Sequence, residues 1–344
     1  MKGRVAALGI VEGRQVAGLV VDGRVEDLLV EGPGLAPGAV LRGVVDRPLK
    51  GTGGVIVRLP GGTGFLRGAR GRRPGEAILV QVVGWPEGGK AVPLTDRVVL
   101  KSRYAIATPG APGINVSRAI RDEDMRDELT VLTREVLVDA PLPDGVGLIL
   151  RSACEGADMD AVAADVAAAA GLAAQVLGDA GGGPELLVDG PDPHVAAWRD
   201  WDARPDDAPD ALARHGVLDA LDALSRPDMP LPGGGTLAVE ATRALVAVDV
   251  DTGSDRSPAA GLKAGIAAMR ELPRQLRLRG LGGMVVVDLA PVPKKDRRQI
   301  EAALKAALRA DPVETSVAGW TPLGNLEMTR KRERLPLSVA LSRR

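Results

Sequence analysis

The sequence predicts a mixed α/β protein built from several subdomains, with a strand-rich beginning and an alternating strand and helix region at its end. Three observations point there. About the first hundred residues hold short apolar stretches, roughly ten residues apart and punctuated by Gly and Pro, as in a small barrel or sandwich. The C-terminal third alternates apolar runs with helices of more than about a dozen residues, the crossover unit of a parallel sheet. At 344 residues and 45% hydrophobic, the chain has the length of roughly two globular domains and enough apolar residues for their cores.

Taken in order, "RQVAGLVVDGRVEDLLVE", "AVLRGVVDRPL", "GGVIVRLPGGTGFLRG", "EAILVQVVGWP" and "KAVPLTDRVV" read as strands, because a helix would have to carry too many glycines. From Lys101 the pattern mixes. "YAIATP", "GVGLILRSA" and "PELLVDGP" read as strands, while "SRAIRDEDMRDELTVLTREVL" and the alanine-rich run from Asp158 to Ala174 read as helices. "DWDARPDDAPD", Asp200 to Asp210, is acidic and proline-bearing and reads as a loop or linker. Beyond it come strands "GGTLAVEAT" and "ALVAVDVDTG", a helix "PAAGLKAGIAAMRELPRQLRLRG", strand "GGMVVVDLA", helix "KKDRRQIEAALKAALRAD" and strand "VETSVAG". Pro273 should kink or restart the first of these helices.

Composition excludes some classes. A formal net charge of −1 does not describe a purely electrostatic nucleic-acid binder. The single cysteine, Cys154, rules out an intrachain disulfide and a CxxC zinc site within the chain, and a cytoplasmic protein is expected. No charged leader followed by an apolar core and no run approaching 18 apolar residues is seen, so no membrane span is expected.

The chemistry concentrates in "RALVAVDVDTGSD". Asp249 and Asp251, two apart, share a face of their strand, and Asp288 closes "MVVVD" in the same way. Carboxylates at the carboxyl ends of neighbouring parallel strands lie where open α/β sheets place their sites. They repel unless a cation neutralises them, and oxygen ligands without His or Cys favour Mg²⁺ or Mn²⁺. Taken singly, an Asp after a strand more often caps a following helix or closes an Asx turn; for the pair, spacing leaves the two readings level. A metal held there would favour hydrolysis of a phosphate ester.

"LPGGGTLAVEATRALVAVDVDTG", "RQLRLRGLGGMVVVDLA" and "LGNLEMTRKR" together resemble, in order and spacing, the catalytic core of the ribonuclease E/G family. "GTGGVIVRLPGGTGFL", "ILVQV", "GGKAVPLT", "RYAIATPGAPGINVSRAI", "GVGLILRSA" and "WRD" extend the resemblance over nearly the whole chain. It implies a reduced RNase H-like subdomain (1–36 and 190–225), an inserted OB-fold RNA-binding domain (37–100), a 5′-end sensor region (101–189) and a DNase I-like catalytic subdomain (226–344). Asp249 and Asp288 then take the positions of the Mg²⁺-binding carboxylates. Asp251 replaces a supporting Asn; an ionised carboxylate cannot donate, so its role shifts toward accepting or ligating. Arg151 and Ser152 match a pair that holds a 5′-monophosphate. Phe65 matches a base-stacking position, Ile56 replaces a second stacking Phe, and Lys90 matches a basic RNA contact.

The implied activity is Mg²⁺-dependent endonucleolytic cleavage of single-stranded RNA, in RNA (including rRNA) processing or decay. Basic segments "FLRGARGRR", "RQLRLRG", "KKDRR" and "TRKRER" are expected to form a phosphate track. Gly265 and Ala267 stand where polar and acidic family residues are expected, which with Ile56 also allows a weakly active or non-catalytic RNA-binding relative. A homodimer is allowed; without a CPxC segment, neither zinc nor a zinc-linked tetramer is expected. A nucleotide-binding regulatory protein is disfavoured, since no glycine-rich phosphate loop stands at a strand-to-helix junction.

Overall fold

The computed structural model describes residues 3–342 apart from Lys50, Thr52, Arg70 and Glu87. The chain divides into two compact units: Met1–Pro33 with Ala203–Arg344, and Gly34–Asp202.

The first unit opens with an antiparallel meander of β1 (Arg4–Val11), β2 (Arg14–Val21) and β3 (Arg24–Val30). Its apolar alternation buries Val16, Val20, Val25 and Leu28 on one core.

The second unit holds two sheets. β4 (Val40–Leu49), β5 (Gly54–Leu59), β6 (Gly62–Leu66), β7 (Ala77–Val82) and β8 (Val92–Thr95) form a five-stranded sheet that closes on itself, because β7 pairs with β4 as well as with β8. Closure removes the free edges, and inward Val55, Val57, Leu66, Val80 and Leu94 fill the barrel. This is the barrel that glycine-punctuated strands predict.

The other sheet runs β11-β12-β10-β9, from β9 (Leu100–Lys101), β10 (Ala105–Pro109), β11 (Gly113–Val116) and β12 (Val146–Leu150). Helices α1 (Glu123–Asp139) and α2 (Met159–Leu177) cover it, each begun by an aspartate whose side chain accepts from the first turn. β13 (Glu185–Val188) pairs with β4, and α3 (Pro193–Asp200) closes the unit. Among the described residues α2 alone is long and apolar enough, by length and composition only, to cross a membrane; Ala, Val and Leu raise its hydropathy although Asp160 and Asp165 interrupt it. Val162, Val166, Ala169 and Ala173 of α2 pack in the unit's core, the burial of an internal helix.

Back in the first unit, β14 (Arg204–Asp206) pairs in parallel with β1, so part of the acidic segment expected to be a loop is a short edge strand. Helices α4 (Ala211–Arg214) and α5 (Val217–Leu224) cover the meander. They approach so closely that a Cβ on Gly18 would lie 2.6 Å from a Val217 methyl.

The last sheet has the order β15-β16-β17-β18-β20-β19. Its strands are β15 (Asp228–Pro230), β16 (Thr236–Ala241), β17 (Val246–Asp251), β18 (Gly283–Leu289), β19 (Thr315–Trp320) and β20 (Leu326–Arg330). β17 and β18 are parallel, joined through α6 (Ala260–Leu278); α7 (Arg297–Ala310) follows β18, and α8 (Leu337–Ala340) is a terminal turn. Val246, Val248, Val250, Val285 and Val287 point into a core with α6 and α7, and the intervening residues face the other way. α6 runs unbroken through Pro273, which is buried. Burial of Leu272 and Leu276 along the same face offsets the helix hydrogen bond that proline removes. Gly265 has a packing reason: a Cβ there would stand 2.8 Å from Ile300 Cδ1, where α6 meets α7.

Candidate functional sites

The expected carboxylates meet on the open side of the last sheet. Because β17 and β18 are parallel, Asp249 lies directly beside Asp288 in register. Both are exposed, as is Asp251 two residues on. Opposite faces of one strand thus have opposite fates: Val248, Val250 and Val287 anchor it, and the aspartates project outward. Among the described residues neither the Asp249 nor the Asp288 carboxylate has a hydrogen-bond or ion-pair partner. Like charges directly opposed on a sheet are unfavourable, so the pair is held without local compensation.

Asp251 differs. Its Oδ1 accepts from the Gly253 backbone N–H at 2.5 Å, the Asx turn that spacing left open for all three residues. The turn rests on Gly235, just before β16 with φ +89°, where a Cβ would lie 2.3 Å from the Asp251 carbonyl oxygen. Asp255, beyond the turn, is held below the usual carboxylate range by the Ser257 backbone N–H, with help from Lys263. Glu240 and Glu327, which sequence reading passed over, share the open face through their pairing with Ala247 and Val286. No group of three or more His, Cys, Asp or Glu among the described residues is placed to hold a metal ion. Two opposed carboxylates without protein partners suit an ion that keeps most of its water, which is the habit of Mg²⁺ and not of structural zinc.

In the second unit, Arg151 directly follows β12. Its Nη1 donates to the carbonyls of Ser102 (2.6 Å), Arg103 (3.0 Å) and Arg199 (3.0 Å), and Nη2 to Asp200 Oδ1 (2.8 Å). Ser152 follows it, exposed, at the start of a short 3₁₀ turn. Asp200 also receives Lys101 Nζ at 2.6 Å and Arg199 Nη2 at 2.8 Å. Burial pushes its pKa up, but Arg199 and Lys101 outweigh that and hold it at about 2. The loop carrying two of the carbonyls is pinned by Asp165, which accepts from the Ser102 hydroxyl and the Tyr104 and Ala105 backbone N–H groups. Sequence reading singles out none of Lys101, Arg199 and Asp200 as a site residue, although "WRD" contains the last two. Cys154 is buried beside it, its thiol pushed up to about 11 by burial.

Phe65 and Ile56 are cross-strand neighbours on the outside of the barrel, both partly exposed, with Pro93 beside Phe65. The ring lies over Gly54, where a Cβ would come within 2.5 Å of it. Arg58, two residues from Ile56 on β5, and Arg67, just beyond the end of β6, are exposed. Lys90 sits in the β7–β8 connection.

The basic segments do not make one track. In "RQLRLRG", Arg274 binds Glu271 and the Val25 carbonyl, Arg277 binds Asp311 and the Glu26 carbonyl, and Arg279 is buried against the Leu224 carbonyl. In "TRKRER", Arg330 is buried on Asp311 at 3.0 Å, Lys331 pairs with Glu314 and Arg334 with Asp27. These side chains pin α6 and β20 to their neighbours. Lys294, Lys295 and Arg298 of "KKDRR" are exposed just after β18. In "FLRGARGRR", Arg67 is exposed, Arg72 pairs with Glu76 and Arg70 lies outside the described residues.

Together these features define an α/β protein with a carboxylate rim on one mixed sheet, a closed β-barrel and a clustered set of guanidinium and ammonium groups. The sequence model of the ribonuclease E/G family matches residues 99–208 and 204–333, and the chain belongs to that family. It is 29% identical to ribonuclease E of Nostoc sp. (strain PCC 7120) over 94% of this chain and 55% of that protein. It is 30% identical to ribonuclease G of Escherichia coli K12 over 76% of this chain and 61% of that protein. Ribonuclease E of Synechocystis sp. (strain PCC 6803) is 28% identical over 94% and 56% respectively. The chain therefore spans a little over half the length of these relatives.

Proposed function

We propose that this protein is a Mg²⁺-dependent endoribonuclease acting on single-stranded RNA in RNA processing or decay. The observation that carries the reading is the register pairing of Asp249 with Asp288 on an open sheet face, in a chain of the ribonuclease E/G family. Asp249 and Asp288 would hold the ion, with Asp251 as a neighbouring acceptor fixed by its Asx turn. When bound, the ion supplies charge stabilisation for an in-line displacement at phosphorus and lowers the pKa of an attacking water. The chain's own contribution is rigid placement: valines on the buried face of each strand leave the carboxylates little freedom to part. Products would carry 5′-phosphate and 3′-hydroxyl ends.

RNA would be gripped by stacking on Phe65, with Ile56 adding apolar contact and Lys90, Arg58 and Arg67 meeting phosphates. Arg151 and Ser152 would receive a 5′-monophosphate. The subdomain roles inferred from the family belong to the same proposal, as does a homodimer. The test compares cleavage of a short 5′-monophosphorylated RNA with its 5′-hydroxyl twin in Mg²⁺, with Asp288→Asn as control. Cleavage lost in the variant and faster on the phosphorylated RNA supports the reading; equal cleavage by both proteins refutes it. RNA binding without turnover would support the non-catalytic alternative, which Ile56, Gly265 and Ala267 motivate.

A further inference from the structure

The row of the last sheet that carries the carboxylates ends in an amide. Asp249 pairs with Ala238 on one side and Asp288 on the other, and the register continues outward. Leu326 of β20 pairs with Val287 of β18 and with Trp320 of β19, so the next residue, Asn325, falls in line between Asp288 and Thr321. Leu326 is buried in the core with α6 and α7, and alternation turns Asn325 toward the open face that holds both aspartates. Adjacent strands lie about 4.8 Å apart, which puts the amide within reach of whatever Asp288 binds.

The hairpin holds that amide still. Pro322, Leu323 and Gly324 form a three-residue loop, with Gly324 at φ +101° where the chain turns back. The Thr321 N–H donates to the Asn325 carbonyl at 2.8 Å, and the Asn325 N–H donates to the Thr321 hydroxyl at 3.1 Å. At the hairpin's base Trp320 Nε1 donates to Glu301 of α7 at 2.8 Å, and the Arg297 guanidinium lies 4.4 Å from the ring centroid. An asparagine in a turn ordinarily caps it with its own side chain. Here the Thr321 hydroxyl does so, and the Asn325 side-chain amide has no hydrogen-bond partner among the described residues. Leu323, at the tip, is 92% exposed, so this end of the sheet is open to a ligand.

The charge of the row defines that ligand. Ionised aspartates accept and cannot donate, Ala238 offers neither, and Asn325 is the row's one side-chain N–H donor among the described residues. A phosphodiester brought to this row meets two like charges, and its non-bridging oxygens need donors as charge builds on them during displacement. We propose that Asn325 Nδ2–H donates to a non-bridging oxygen of the scissile phosphate, which makes Asn325 a substrate-contacting catalytic residue and not a metal ligand. The inference rests on the cleavage reading of Asp249 and Asp288.

The test uses the full chain and the variants Asn325→Ala, Asn325→Asp and Asn325→Gln, with Asp288→Asn as control. Single-turnover cleavage of a short 5′-monophosphorylated single-stranded RNA in saturating Mg²⁺ should slow about 10- to 100-fold in Asn325→Ala, the scale of one hydrogen bond to a charged oxygen, and recover in part in Asn325→Gln. Thermal unfolding without RNA reads the ion alone. The Mg²⁺-induced rise in Tm should be unchanged in Asn325→Ala and larger in Asn325→Asp, which adds a third carboxylate yet should cleave no faster than Asn325→Ala. Asn325→Asp also keeps the side chain's shape, so the comparison survives if the alanine variant unfolds. Sulfur accepts hydrogen bonds weakly, so a single phosphorothioate at the cleaved linkage should, in one of its two isomers, slow the wild type more than Asn325→Ala.

If Asp288→Asn abolishes cleavage while every Asn325 variant cleaves as the wild type does, the metal site stands and the Asn325 contact is overturned. A smaller Mg²⁺ response in Asn325→Ala would make Asn325 a metal ligand, and equal sulfur effects in wild type and variant for both isomers would make its role structural; either result overturns the proposal. A wild type that does not cleave overturns the inference and the reading beneath it together.

Discussion

Asp288→Asn should make the protein more stable without metal while removing its response to Mg²⁺. Asp249 and Asp288 are exposed, in register and unpartnered. Adjacent strands lie about 4.8 Å apart, so the charges sit roughly 5 Å from one another. At the dielectric of water their repulsion is about 0.8 kcal/mol, and screening at physiological salt roughly halves it. Neutralising one charge should therefore raise stability by about 0.4–0.8 kcal/mol, or roughly 1–3 °C in Tm for a unit of this size. The assay is thermal unfolding by circular dichroism in EDTA at low salt, where the gain is largest, and at 1 M salt, where it should vanish. Mg²⁺ at about 100 times its Kd should stabilise the wild type by about 2.7 kcal/mol and leave the variant unmoved. A variant less stable than wild type in low-salt EDTA would refute the uncompensated pair. One that keeps the full Mg²⁺ response would place the ion elsewhere.

Phe65→Ala should weaken binding of single-stranded RNA by about 1–3 kcal/mol with little change in Tm, measured by fluorescence anisotropy, since the ring lies on the barrel's outside over Gly54. Gly235→Ala should cost about 2 kcal/mol and blunt the Mg²⁺ response, because its φ of +89° and its approach to Asp251 leave no room for a Cβ. Asp200, held at about 2, stabilises the fold fully above its ordinary unfolded pKa and loses that contribution as pH falls from about 4 toward 2. Asp200→Asn should flatten acid unfolding by roughly 2 kcal/mol across that window in a urea titration.

Much of the site was legible because it rests on local periodicity. Alternation in "ALVAVDVD" and "MVVVD" puts valines inward and aspartates outward, and a long helix between them enforces parallel strands and a shared edge. The barrel followed from glycines at turns, although where the meander ends and the barrel starts depends on β7 returning to β4, a long-range pairing that periodicity cannot reveal. Arginine-rich segments misled for a related reason. A sequence shows charge without showing partners, and Arg277 and Arg330 both find Asp311 across a long separation. The short strand β14 was hidden because Pro205 and the surrounding acids read as a loop, while pairing with β1 supplies what propensity lacks. Asp200 was hidden too, since only the fold brings it to Lys101 and Arg151.

The central claim is that Asp249 and Asp288 hold the ion that serves RNA cleavage. Its most direct test is the rate of Mg²⁺-dependent cleavage of a short single-stranded RNA by the wild type and by the folded Asp249→Asn, Asp288→Asn double variant. We expect cleavage by the wild type, abolished by EDTA and restored by Mg²⁺, and none by the double variant at any Mg²⁺ concentration. Full Mg²⁺-dependent cleavage by the double variant would contradict the account.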